Sequence, residues 1–164
     1  MLGRFGACLA FVSSILFVAA LPGTAAAGHD QRDYEDSGFS IRLTPEQVRG
    51  GGDYGGRGFA RLVLNEAEER ACYVIEWSEL EGAVTAAHVH FGRRHNDGPH
   101  VIDLFDGRRL DGDSDAVWGC VRVQDHGSKS ARETIRDIIN HPSHFYLNLH
   151  STAFDDGALR GQLD

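Results

Sequence analysis

The sequence lacks the short motifs that identify the most common catalytic folds. It has no nucleophile elbow, no P-loop, no strand-to-helix dinucleotide fingerprint and no H-E-x-x-H helix. The acidic run at 111–115 matches the opening of an EF-hand calcium loop, but Ala116 stands where that loop needs glycine and Arg122 where it needs glutamate. The motifs therefore predict no catalytic residue, and they favour a solvated loop at 111–115.

Positive charge is also scarce in this chain. Sixteen lysine and arginine residues are outnumbered by 24 aspartate and glutamate residues, which gives a formal net charge of −8. Because an acidic chain is repelled by phosphate backbones, this balance argues against nucleic acid as a partner.

Long apolar runs are missing except near the N-terminus, at residues 5–21. That run is short for a membrane-spanning helix and is interrupted by Pro22, and residues 24–27 offer an A-x-A cleavage site. We predict a signal peptide over 1–27, a flexible polar leader over 28–38 and one domain over 39–164. We thus expect a secreted, extracellular protein with no membrane span after cleavage. Its expected partner is an unidentified extracellular protein or surface component.

Cysteine is limited to three residues, of which Cys8 falls within the predicted signal peptide. In an exported protein the remaining pair, Cys72 and Cys120, favours a disulfide, which would stabilise the fold by roughly 4 kcal/mol. Two buried thiols are the alternative.

The remaining sequence consists of short apolar segments separated by glycine, asparagine and aspartate turns. We predict strands at Phe39–Leu43, Gly58–Leu64, Cys72–Ser78, Val84–Phe91, His100–Phe105, Val117–Val123, Phe145–His150 and Ala158–Leu163. Residues 130–140 instead predict a short helix across one end of the fold, since Ser130 and Glu133 form a capping-box pattern. About eight strands at this spacing indicate an all-β antiparallel sandwich or barrel.

Histidine is the residue type with the most functional information. Strand alternation places His88 and His90 on one side of their strand and His150 on the polar side of a later one. If those strands are neighbours and Val89 and Phe91 point into the core, three imidazoles converge outside the sandwich. Such a set suits copper or zinc.

Other interpretations of these histidines remain open. Hydrogen bonds to loops covering the outer face explain His88, His90 and His150 without any metal. His100 and His95 lie beside a loop that can fold over the pair, so His100 is a tentative fourth ligand. Solvated or structural roles are the expectation for His29, His126, His141 and His144.

Five ordered blocks of sequence resemble the CHRD (chordin) domain. They are AAHVHFG at 86–92, NDGPHVIDLF at 96–105, GCV at 119–121, FYLNLHS at 145–151 and GALRGQL at 157–163. The similarity extends from Phe39 to Leu163. It implies a Greek-key, immunoglobulin-like β-sandwich related to the copper/zinc superoxide dismutase fold.

The functional implications of this resemblance are broad. In animals the domain occurs in a secreted inhibitor of bone morphogenetic proteins, and bacterial members are short exported proteins without an assigned activity. We therefore expect a non-enzymatic binding or surface-associated module. Because His88, His90 and His150 look like the copper histidines of dismutases, a copper or zinc site is the alternative. Superoxide dismutation is a more remote alternative, in which Arg93, Arg94 and Arg160 would attract the superoxide anion.

Overall fold

The computed structural model describes residues 36–164. Its eight strands are β1 (Ser37–Leu43), β2 (Arg57–Asn65), β3 (Arg70–Ser78), β4 (Val84–Phe91), β5 (His100–Phe105), β6 (Ser114–Arg122), β7 (Phe145–Ser151) and β8 (Phe154–Gln162). Residues 36–164 also contain one α-helix, α1 (Ala131–Asn140), and short 3-10 turns at Pro45–Gln47 and Pro142–His144. The predicted all-β class is confirmed.

The strands form two antiparallel four-stranded sheets. One sheet has the order β1-β2-β3-β6, and its outer surface is called here the open face. The other has the order β5-β4-β7-β8, and its outer surface is called the histidine face. The chain crosses between the sheets after β3, β5 and β6. The arrangement is therefore a Greek-key type of β-sandwich rather than a closed barrel.

Strand alternation fills the space between the sheets with apolar side chains. Along β2, Ala60, Leu62 and Leu64 are buried while the residues between them are partly or fully exposed. Along β7, Leu147 and Leu149 point into the same core from the opposite sheet. Each buried Leu or Ile contributes about 1.5–3 kcal/mol through removal of apolar surface from water.

Helix α1 begins where the capping box predicts. Ser130 Oγ accepts from the Glu133 backbone N–H, and the Glu133 carboxylate accepts from the Ser130 backbone N–H at 2.9 Å. Ile135 and Ile138 are fully buried, so the apolar side of the helix belongs to the core.

The predicted disulfide between Cys72 and Cys120 is also confirmed. The two residues are register partners on neighbouring strands β3 and β6. Cys120 is exposed and Cys72 partly so, which places the bridge on the open face.

The N-terminal predictions fall mostly outside the described residues. The predicted signal peptide lies wholly outside them, as does all of the leader before Asp36. Ser37 and Gly38, the last two leader residues, pair with Leu64 and Val63 as the start of β1. Within residues 36–164, no helix is long and apolar enough to cross a membrane.

Candidate metal centre on the histidine face

The histidine face brings three predicted ligands together. Strands β4 and β7 are hydrogen-bonded neighbours, with Ala86 opposite His150 and His88 opposite Asn148. Ala87 and Val89 point into the core, so His88 and His90 project outward as alternation predicts. Phe91 differs from expectation: it is half exposed and packs edge-on against Phe145 at the end of the strand.

One ring nitrogen from each of His88, His90 and His150 lies within 4.8 Å of the other two. His88 Nδ1 and His150 Nε2 are 3.3 Å apart. Two imidazole nitrogens that share a tetrahedral ion at 2.0–2.1 Å would be about 3.3 Å apart. The pair already has the separation that a shared ion requires.

Backbone carbonyls orient two of the three rings. His90 Nδ1 is 2.9 Å from the Gly98 carbonyl oxygen, and His150 Nδ1 is 2.7 Å from that of Asp155. Since a carbonyl only accepts, each Nδ1 carries the proton and each Nε2 keeps its lone pair. Nε2 of His90 is buried and makes no hydrogen bond within the described residues. Such carbonyl contacts are the usual second layer around metal-binding histidines.

Burial keeps these imidazoles neutral. Desolvation lowers the pKa of His90 to about 4, against the weaker effect of the Gly98 carbonyl. Desolvation also lowers the pKa values of His88 and His150, while Asp106 opposes the shift at both rings. Neutral imidazole is the form that binds a metal. The negative charge of the nearby Asp106 carboxylate favours a cation at this site.

A buried arginine holds the loop that orients His90. Arg160 is 2% exposed, and its Nη2 donates to the carbonyls of Arg93 and Asn96, each at 3.0 Å. Its guanidinium lies 3.4 Å from the centre of the Tyr146 ring, which stacks on His90 at 4.7 Å. Arg160 therefore stabilises the loop at residues 93–98. Its burial argues against the role of attracting an anion from solvent.

Glycine is required at the point where this loop meets the site. A Cβ on Gly98 would lie 1.8 Å from the Phe91 carbonyl oxygen, so the backbones approach too closely for any side chain. The same residue offers its carbonyl to His90. The glycine of the NDGP block is thus required by a close backbone contact.

His100 lies on the histidine face but belongs to a different group. Its ring centre is 5.0 Å from that of His88, and its Nδ1 is 2.5 Å from Asp103 Oδ1. The ligand atoms of His88, His100 and Asp103 lie within 4.8 Å of one another, in a group that excludes His90 and His150.

Sequence reasoning missed Asp103 because strand alternation puts residues 100 and 103 on opposite sides. The pairing of β4 with β5 shifts register between Val89 and His90, where Val101 has no partner, so that His88 faces Asp103 and His90 faces His100. This irregularity turns both β5 side chains toward the histidine face. The spacing His-x-x-Asp beside a predicted HxH strand was the only available signal.

The remaining histidines do not join either group within residues 36–164. His95, His126 and His141 are exposed, and His141 stacks on His144 at the exit of the helix. The ring of His126 is 6.4 Å from that of His100. His29 lies outside the described residues.

Three imidazoles, each with one ring nitrogen within 4.8 Å of the other two, fit a late first-row metal ion. Nitrogen ligands of this kind suit Cu²⁺ and Zn²⁺, and three of them leave a coordination position open. The ligands would be His88, His90 and His150. The ion would supply Lewis acidity or, as copper, redox chemistry.

Among protein-family models, the one described as "CHRD domain" matches residues 39–163 of this chain. Searches of the curated proteins and of the solved structures found no match. The matched segment contains all of β2–β8, both histidine groups and the disulfide. The chain belongs to the CHRD domain family.

Proposed function

We propose that this CHRD-domain protein is exported and binds one copper or zinc ion through His88, His90 and His150. Its primary role is binding rather than catalysis. The observation that carries the proposal is the orientation of the rings. The Nδ1–H groups of His90 and His150 are committed to backbone carbonyls, which leaves both Nε2 atoms unprotonated, and one ring nitrogen of each of the three histidines lies within 4.8 Å of the other two.

An ordinary hydrogen bond is the competing explanation of the closest contact. With no ion, His88 Nδ1–H donates to His150 Nε2 across 3.3 Å. That bond leaves Nε2 of His90 without a partner, and a buried polar atom without a hydrogen bond costs about 1–3 kcal/mol. A metal ion satisfies all three rings, whereas the hydrogen bond satisfies two.

The ligand set favours copper over zinc at equal concentration, because Cu²⁺ binds nitrogen ligands more tightly in the Irving–Williams order. Superoxide dismutation would further require a positive group near the open position. Arg160, one of the candidates, is engaged with the loop carbonyls.

The test is metal analysis and Cu²⁺ titration of the purified chain. We expect one ion bound in the wild type at limiting copper and at least a tenfold loss of affinity in both His88→Ala and His150→Ala. His95→Ala is the matched control, because His95 is exposed and belongs to neither histidine group. Unchanged affinity in His88→Ala and His150→Ala would overturn the proposal.

A surface-binding role is the second candidate, and the open face favours it. Trp118 is 73% exposed and is the register partner of Val74, which is also exposed. Large exposed apolar side chains on one sheet face are typical of contact surfaces. We expect Trp118→Ala to move the exported protein from the cell-surface fraction to the medium. An unchanged distribution between the two fractions would contradict this role.

A further inference from the structure

We infer that one end of the open face binds a neutral carbohydrate chain, in a groove that crosses the sheet. The groove has a volume of about 900 Å³ and is lined by charged and aromatic side chains, among them Arg42, Tyr54, Arg57, Phe59, Glu76 and Asp115. It is called here the cross-strand groove. The inference goes beyond the copper site and beyond Trp118, whose side chain does not line this groove.

The floor of the cross-strand groove is one row of register partners across the four strands. Arg42 on β1 lies opposite Phe59 on β2, Phe59 opposite Glu76 on β3, and Glu76 opposite Ala116 on β6. Alternation directs this row away from the core, since Ile75, the neighbour of Glu76 on β3, is buried. An aromatic ring therefore lies between a guanidinium and a carboxylate on the outer surface of the sheet.

The segment between β1 and β2 also contributes to the lining. Tyr54 in this segment is 74% exposed, and Phe59 on the floor is 41% exposed. Arg57, at the start of β2, donates from its two terminal nitrogens to the Glu79 carboxylate at 2.6 and 2.8 Å. The groove thus presents two exposed aromatic rings beside a guanidinium that is already positioned, which lowers the entropy cost of binding.

Charges of both signs in the lining select against a charged ligand. Arg42 and Arg57 are balanced by Glu46, Glu76 and Asp115, so neither sign dominates. A hydroxyl group both donates and accepts hydrogen bonds, so a polyhydroxy ligand can bond to carboxylates and guanidiniums alike. Sugar rings also have apolar C–H faces, which pack on the faces of aromatic rings. A neutral sugar chain therefore satisfies both the rings and the charges of the groove.

A peptide strand fits the floor of the groove less well. Strands β2 and β3 are each paired on both sides, so their backbone N–H and C=O groups are used within the sheet. A peptide that binds as an added strand needs a free sheet edge. The volume of about 900 Å³ lies near the upper end of the range for small-ligand sites, about 300–1,000 Å³, which favours an oligosaccharide segment over a single sugar ring.

The experiment is affinity electrophoresis of the full chain in native gels that each contain one polysaccharide. The neutral probes are hydroxyethyl cellulose, soluble starch and galactomannan, and polygalacturonate is the anionic probe. We expect at least one neutral polysaccharide to retard the wild type, and polygalacturonate to leave its mobility unchanged. Phe59→Ala should weaken that binding about fivefold, because the sugar loses its contact with the ring. Phe91→Ala is the matched control, since Phe91 is 48% exposed but lies on the other sheet, and it should bind like the wild type.

Tyr54→Ala is a second variant, because a side chain that is 74% exposed can be truncated with little effect on folding. It should also weaken the retardation, and far-UV circular dichroism of each variant verifies the fold. Retardation by polygalacturonate alone, or by none of the four polysaccharides, would overturn the inference. Equal binding of the wild type, Phe59→Ala and Tyr54→Ala would overturn it too, as would an equal loss in Phe91→Ala. Copper titration and the distribution of Trp118→Ala are separate measurements, so failure here leaves both proposed functions standing.

Discussion

The two outer faces of the sandwich obey the same alternation and have opposite character. On the open face, Phe59, Val74 and Trp118 project into solvent. On the histidine face, side chains at equivalent positions are covered, and Tyr146, Asn148 and Arg160 are almost fully buried. Alternation therefore determines which side chains point away from the core, but not which of them are exposed to solvent.

Loops make the difference between the faces. The 93–98 loop covers β7 and β8, where Arg160 binds its carbonyls, and the first residues of β8 supply the Asp155 carbonyl to His150. Among residues 36–164, no comparable loop covers the open face at Trp118, which is 73% exposed. A polar sheet surface becomes a low-dielectric site only when loops exclude water and satisfy its hydrogen bonds.

Removal of the disulfide on the open face tests whether the two faces are independent. We expect Cys72→Ser combined with Cys120→Ser to lower the free energy of unfolding by roughly 2–4 kcal/mol, because the bridge constrains the unfolded chain. Urea denaturation measures this loss. Copper affinity of the folded variant should stay within twofold, since the bridge lies on the opposite sheet. A tenfold drop would show that the faces are coupled.

Gly98→Ala is expected to damage the histidine face alone. The added Cβ would lie 1.8 Å from the Phe91 carbonyl oxygen, so the loop must move and His90 Nδ1 loses its acceptor. Loss of such a second-layer contact lowers metal affinity by about 10–100-fold. Copper titration measures it. Gly38→Ala on the open face is the control, because its Cβ would meet nothing within 4 Å. An equal effect of both changes would contradict the prediction.

Acid should weaken the metal-free histidine face before it affects ion pairs. Burial lowers the pKa of His90 to about 4 from 6.5, so below pH 6.5 the unfolded chain takes up a proton that the folded chain does not. The free energy of unfolding then falls as pH decreases from 6.5 to 4, by roughly 1–2 kcal/mol after allowance for partial exposure.

Urea denaturation across that pH range, with chelator present, measures the slope. His90→Gln should reduce the slope, with the remainder due to His88 and His150, whose pKa values burial also lowers, and His95→Gln should leave it unchanged, because His95 is an exposed loop residue. Parallel slopes in the wild type and His90→Gln would show that His90 is not the group that responds.

The fold was largely predictable because its signals are local. Turn residues separate all eight strands, and the bounds of β4 and β5 agree with prediction. The convergence of His88, His90 and His150 followed from alternation and needed only β4 and β7 to be neighbours. Asp103 and the buried Arg160 were not predictable in their roles, because a bulge and a loop contact depend on tertiary packing that no periodicity encodes.

The smallest expected effect is on the open face, at Trp118. Trp118→Ala should change the free energy of unfolding by no more than about 0.5 kcal/mol, because exposed side chains lose little on truncation. Trp77→Ala is the matched comparison: Trp77 is buried on the same sheet and its Nε1 donates to the Asp111 carbonyl at 2.7 Å. That change should cost about 3–5 kcal/mol. If Trp118→Ala costs as much as Trp77→Ala, the open face contributes to folding rather than to contact. If the Trp118→Ala variant is as stable as the wild type, the Trp118 indole does not contribute to folding. Surface association is then the property that this side chain can affect.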